Sequence, residues 1–151
     1  MLITYIMKKI NPKICVIGLG YVGLPLAVAF SKKFKVVGYD VNKMRVEELK
    51  RNYDKTNEIE KEKLKKNKNL IFINNISDIK NIDFFVITVP TPIKNKKPDL
   101  KMIIEATKLV AKKIKKKNFV VYESTVYPGV TEDICSKIIE NKSKLKLNKD
   151  F

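Results

Sequence analysis

Histidine is absent from all 151 residues, and cysteine occurs only at Cys15 and Cys135. Without histidine there is no catalytic triad or dyad that depends on an imidazole. Two distant cysteines with no CxxC spacing leave no zinc pattern, and no metal site is expected. Cys15 stands inside an apolar strand and Cys135 beside Ile134 in a helical stretch, so both read as small packing hydrophobes rather than nucleophiles. No apolar run approaches the ~20 residues that span a bilayer. The opening MLITYIMKKINP carries its lysines after its apolar residues and has no small-residue cleavage site, unlike a secretory signal. A cytoplasmic protein with no membrane partner is the expectation. Internal repeats and Gly/Ser linkers are also missing, which leaves a single domain over residues 1–151.

Arginine is scarce too. The net charge of +16 is carried almost wholly by lysine, with Arg45 and Arg51 the only arginines. Stretches such as KEKLKKNKN and KKIKKKN belong to outer helix faces and loops, and no aromatic residues interleave with them to stack bases. The charge reads as solvated surface, and no nucleic-acid partner is expected.

What is present is an alternation of short apolar runs and amphipathic stretches, the pattern of βαβ units around a parallel sheet. Strands are expected at Ile14–Ile17, Val36–Tyr39, Leu70–Ile73, Phe84–Val89 and Phe119–Tyr122. Helices are expected over Val22–Lys32, Lys43–Asn52 and Glu58–Asn67. Another, capped by Asp99, should run to about Lys116 on an apolar face of Ile103, Ala106, Val110, Ala111 and Ile114. A further helix is expected over Thr131–Asn141, and Lys142–Lys149 reads as polar with no core pattern. The fold class is α/β, a Rossmann doubly wound sheet with helices on both faces and strand order 3-2-1-4-5. A sixth strand would begin near Phe151.

The chemistry-bearing residues fall at the carboxyl ends of these strands. IGLGYVG places Gly18, Gly20 and Gly23 as GxGxxG between a strand and a helix. Gly18 permits a tight turn, Gly20 lets the backbone approach a pyrophosphate, and Gly23 lets helix and strand pack closely. The free N–H groups at the helix start then face the phosphates. Asp40 ends the second strand in VVGYD, where a carboxylate accepts ribose hydroxyls and repels a 2′-phosphate, favouring NAD over NADP. Capping of the next helix is the alternative for Asp40. Arg45 would reach the same ribose, pair with Asp40 or accommodate a 2′-phosphate. After the fourth strand, Pro90 and Pro92 stiffen a loop that presents Thr91. After the fifth, YESTVYPG delivers Ser124 and Thr125 to the same edge. Four strand ends converging on one edge make a dinucleotide site, since ligands of such sheets lie beyond the carboxyl ends at the point where strand order reverses.

On GLGYVGLPLA, GYDVNKMRVEEL, VPTPI with PDL downstream, and YESTVYPGVTED, the chain from Lys13 to Phe151 resembles the N-terminal domain of the UDP-glucose/GDP-mannose dehydrogenase family. Within it, VPTPI…KKPDL and YESTVYPGVTE look most like the UDP-N-acetylhexosamine 6-dehydrogenases that make uronic acids for surface polysaccharides. The resemblance implies NAD as cofactor, with backbone contacts to its pyrophosphate from Tyr21 and Val22. It implies adenosine-ribose contacts from Asp40 and Arg45, and a nicotinamide side lined by Thr91 and Thr125. Thr125 would also approach the water and oxyanion region of the catalytic site. The family oxidises the sugar 6-hydroxyl twice with two NAD, through a cysteine-bound thiohemiacetal and thioester. Its nucleophilic cysteine and sugar-nucleotide site lie further along than Phe151, and neither Cys15 nor Cys135 matches that cysteine. The resemblance therefore implies a cofactor half with no catalytic residue of its own, monomeric, binding NAD without turnover. It would meet a UDP-sugar only with a second half, as a dimer in the complete enzyme. A free-standing NAD-sensing module would need the glycine motif but would leave VPTP and STVYPG without a purpose.

Overall fold

Along each central strand, alternate side chains enter two different cores. Cys15, Ile17, Val37, Tyr39, Phe85 and Ile87 belong to one, and Ile14, Val16, Val36 and Val86 to the other. This follows from the two-residue period of a strand, and strands buried on both faces are what an all-parallel sheet requires. The computed structural model describes residues 11–94 and 96–151; the opening MLITYIMKKI, and with it most of the stretch read against a signal peptide, lies outside them. The parallel strands are β1 (Lys13–Ile17), β2 (Lys35–Tyr39), β3 (Leu70–Ile73), β4 (Phe84–Ile87) and β7 (Phe119–Tyr122), in the order β3-β2-β1-β4-β7. The register pairs Ile17 with Tyr39 on one side and with Ile87 on the other, so three strand ends lie level. With β7 as the fifth strand, this is the doubly wound order expected from the sequence.

The helices divide between the faces. Leu24, Ala27 and Val28 of α1 (Gly23–Ser31), Leu49 of α2 (Lys43–Lys50) and Leu64 of α3 (Lys61–Lys65) close one core. Ile103, Ala106 and Val110 of α4 (Lys101–Ala111) and Ile139 of α5 (Ser136–Ser143) close the other. Helix α1 is apolar nearly all round, as suits a helix lying over the sheet centre. Its Pro25 falls within the first turn, where a missing N–H costs no hydrogen bond. Helix α2 starts at Asn42, whose Oδ1 accepts the amides of Met44 and Arg45 at 3.0 and 3.3 Å. Asp40 therefore does not cap it.

Several boundaries differ from the sequence expectation. Strand β4 ends at Ile87 rather than Val89, because its neighbour β1 turns away at Gly18, held at φ +98°. Helix α4 ends at Ala111, not Lys116. Asn118 Oδ1 accepts the Lys115 amide at 2.7 Å and turns the lysine-rich run toward β7, although Ile114 is still buried. Asp99 accepts the Lys101 amide at 2.9 Å, but the capping position is Leu100. The expected Thr131–Asn141 helix opens with a π-helical segment, Val130–Cys135, entered through Gly129 at φ +92°. There the Ser136 hydroxyl donates to the Glu132 carbonyl and competes with the regular ladder. A short hairpin, β5 (Ile93–Lys94) with β6 (Lys97–Pro98), was not anticipated. Lys142–Lys149 is not bare of core contacts: Leu145, with Phe151 beyond it, packs on the larger core, and the Lys117 amide donates to the Asp150 carbonyl at 2.6 Å.

Phe85 is fully buried at the middle of the sheet. Phe85→Ala should lower the unfolding free energy by about 3–5 kcal/mol in urea titration; a loss below about 1 kcal/mol would contradict this placement of the core.

Candidate functional site

Strand β1 leaves the sheet at Gly18, whose N–H donates to the Tyr39 carbonyl at 2.9 Å. The positive φ suits glycine, and a Cβ here would also press within 3.2 Å of the Thr88 carbonyl. Gly23 has no choice of side chain at all: a Cβ would lie 1.8 Å from the Gly18 carbonyl oxygen and 2.4 Å from Thr88 Oγ1. This contact brings the start of α1 hard against the end of β1. Gly20 is the reverse case, with nothing within 4 Å of a Cβ, so its backbone stands bare.

No side chain caps α1. Among the described residues, no acceptor meets the N–H groups of Gly20, Tyr21 or Val22, and the Tyr21 and Val22 side chains are exposed. Unpartnered amides at the positive end of a helix dipole are an anion site. They open into a cleft of about 1050 Å³, at the upper end of small-molecule sites. Gly18, Gly20, Tyr21, Val22, Asp40, Thr91 and Thr125 all line it; Gly23 and Arg45 do not.

Asp40 sits on the rim with its carboxylate already engaged. Oδ2 accepts the Leu19 amide and Oδ1 the Asn42 amide, each at 2.8 Å. With the glycine turn and the exposed Val41, Asp40 lines the cleft. Arg45 turns the other way. It is 4% exposed, with Nε donating to the Leu19 carbonyl at 2.8 Å and one terminal nitrogen 2.7 Å from Asp54 Oδ1. Neither the pairing with Asp40 nor a seat for a 2′-phosphate is what this guanidinium does in the structure.

The two proline-stiffened loops are tied to each other. Thr91 Oγ1 donates to the Thr125 carbonyl at 2.6 Å, and Ser124 Oγ donates to the Val89 carbonyl at 2.5 Å. Both hydroxyls keep lone pairs for a ligand, but their protons serve the loops. Thr88, which sequence reasoning passed over, does more. Its buried hydroxyl meets the carbonyls of Ile17 and Gly18 at 3.0 and 2.7 Å, fixing β4 to the glycine turn. The signal was a lone polar residue inside the β-branched run VITV. Lys101, Glu105 and Glu123 also line the cleft and were not singled out. Cys15 and Cys135 are buried, as expected, and burial pushes the Cys15 thiol up to about 12.

The bare amides, the bare backbone at Gly20 and the rim carboxylate fit a dinucleotide. The sequence profile described as "UDP-glucose/GDP-mannose dehydrogenase family, NAD binding domain" matches residues 12–151. The chain belongs to that family. NAD is thus the cofactor of this NAD binding domain. Among relatives, the chain is 52% identical over 142 residues to Protein CapL of Staphylococcus aureus, covering 93% of this chain and 33% of that one. It is 47% identical over 140 residues to the UDP-N-acetyl-D-glucosamine 6-dehydrogenase of Pseudomonas aeruginosa, covering 92% and 33%. Its fold superposes on the UDP-D-ManNAc dehydrogenase of Pyrococcus horikoshii with a TM-score of 0.87 at 32% identity, covering 92% and 34%. The chain therefore spans about a third of the length of the relatives it matches.

Burial would raise the Asp54 carboxyl, but hydrogen bonds from the Thr56 hydroxyl, Arg45 and the Ile59 and Thr56 amides outweigh it and hold the group at about 2. A carboxyl depressed in the fold stabilises above its unfolded value of 3.8, and that stability is lost as pH falls toward 2. Urea unfolding of the wild type should therefore lose about 2 kcal/mol between pH 5 and pH 2 from this group alone. The double replacement Arg45→Met with Asp54→Leu, which leaves no unpaired buried charge, should flatten that part of the acid limb; an acid limb of unchanged slope would contradict the assignment.

Proposed function

We propose that this chain is the cofactor-binding part of a nucleotide-sugar 6-dehydrogenase. The whole enzyme would oxidise the 6-hydroxyl of a UDP-N-acetylhexosamine or UDP-hexose to the uronic acid with two NAD, for surface polysaccharide. The observation that carries the cofactor reading is the run of unpartnered amides at Gly20, Tyr21 and Val22 facing the large cleft. The sugar class is supported by the 47% identity to a UDP-N-acetyl-D-glucosamine 6-dehydrogenase.

In this reading the pyrophosphate lies against those amides, and Asp40 takes the adenosine ribose with the lone pairs that Leu19 and Asn42 leave free. A second negative charge at the 2′ position would meet this carboxylate, and Arg45, turned inward to Asp54, does not line the cleft to offset it. Thr91 and Thr125 flank the nicotinamide end, held at one spacing by their mutual hydrogen bond. The bound cofactor supplies hydride acceptance. The chain supplies orientation and no thiol: both of its cysteines are buried away from the cleft. Alone, it binds NAD without oxidising sugar. In the cytoplasm it would act only together with the part that holds the sugar nucleotide.

Calorimetry checks the cofactor half of this reading. NAD should bind the wild-type chain at least about tenfold more tightly than NADP, and Asp40→Asn should narrow that ratio by removing the repelling charge. Equal affinity for both cofactors in the wild type would contradict the role given to Asp40. Incubation with NAD and UDP-N-acetylglucosamine should give no NADH, and NADH formation by this chain alone would overturn the reading that it lacks turnover.

A further inference from the structure

The peptide between Gly18 and Leu19 is held at both ends. In a trans peptide the C=O and the N–H point in opposite directions. Here the Gly18 carbonyl lies 2.7 Å from Thr88 Oγ1, just beyond β4, and the Leu19 N–H lies 2.8 Å from Asp40 Oδ2, just beyond β2. Strand β1 runs between those two strands. The Leu19 side chain adds a third hold. It is fully buried and presses on β2 at Gly38, where a Cβ would meet Leu19 Cδ2 at 3.0 Å.

The Thr88 hydroxyl has one proton and two carbonyls in reach, Ile17 at 3.0 Å and Gly18 at 2.7 Å. The Ile17 carbonyl already accepts the Thr88 amide at 2.9 Å. Among the described residues, no other donor meets the Gly18 carbonyl. The proton therefore belongs to Gly18. The hydroxyl also occupies the space that Gly23 leaves free, since a Cβ on Gly23 would lie 2.4 Å from Thr88 Oγ1. A methyl in its place, as in the flanking Ile87 and Val89, would crowd a carbonyl at 2.7 Å, because carbon–oxygen contacts need about 3.3 Å. Thr88 borders the cleft, yet its proton is turned back onto the main chain. The peptides that follow carry the bare amides of Gly20, Tyr21 and Val22, and their direction depends on this plane.

We propose that Thr88 is a positioning residue for the pyrophosphate turn. Its hydroxyl fixes the Gly18–Leu19 peptide against Asp40 and so aims the next amides into the cleft. The inference rests on the reading of that turn as the NAD site. It gives Asp40 a second task beside the ribose, because the oxygen that holds Leu19 is the counterpart of the Thr88 hydroxyl.

Thr88→Ser and Thr88→Ala both lose the methyl, and only the first keeps the hydroxyl. Thermal unfolding should find both variants folded. Calorimetry should show NAD and ADP bound about fivefold more weakly by Thr88→Ala than by Thr88→Ser, equivalent to about 1 kcal/mol. Adenosine, which lacks the pyrophosphate, should differ by less than about twofold between the two in NMR titration. Equal NAD affinities would overturn the proposal, and so would an equal loss for adenosine, which would place the effect at the ribose. Two measurements without ligand separate this role from the cofactor reading. Hydrogen exchange at the Leu19 amide should be at least about fivefold quicker in Thr88→Ala than in Thr88→Ser. Equal rates would overturn the role of Thr88 whether or not the chain binds NAD. In the wild type, the Thr88 hydroxyl proton should give its own slowly exchanging NMR signal. A proton averaged with water would overturn the proposal even if Thr88→Ala failed to fold.

Discussion

The contact between Gly23 and the Gly18 carbonyl is the constraint on which the rest of the site depends. At that distance no side chain fits, and Thr88, just beyond β4, closes the remaining space. The first turn of α1 is thereby pressed against the end of β1 at the centre of the sheet. A helix held so closely cannot shift to bury its first amides, so they stay open toward the cleft. Their dipole and their unmet hydrogen-bonding capacity are what an anion would meet there.

Around that turn, polar and charged side chains hold the main chain in place. Asp40 holds the Leu19 amide, Arg45 holds the Leu19 carbonyl, and Thr88 holds the carbonyls of Ile17 and Gly18. Thr91 and Ser124 tie the two proline-stiffened loops through the Thr125 and Val89 carbonyls. Most hydroxyls at the rim thus fix the backbone first and face a ligand only with what remains. For a site that must receive a long, flexible dinucleotide, a rigid frame limits the ordering cost of binding to the ligand's side.

Much of this could be read directly from the residues. GxGxxG between a β-branched run and an Ala/Leu-rich helix specifies its own turn, because each glycine answers a local steric demand. Asp40 follows from strand length and position alone. The parallel sheet and its order follow from apolar runs too short and too continuous for surface strands. Arg45 was different: its partner Asp54 lies in an irregular loop without periodicity, and a spacing argument on one helix cannot see across it. Thr88 was hidden by its β-branched neighbours, whose propensity it shares. The hairpin at Ile93–Pro98, the π-helical start at Val130 and the core contacts of Leu145 and Phe151 depend on tertiary partners that no local pattern announces.

The central claim is that the open amides of Gly20, Tyr21 and Val22 receive the cofactor's pyrophosphate. The most direct measurement is the amide NMR spectrum of the chain during titration with NAD. The account predicts that these amides, together with Leu19, shift most strongly and saturate together. Binding that moved residues elsewhere and left these resonances in place, or no shift at all, would contradict it.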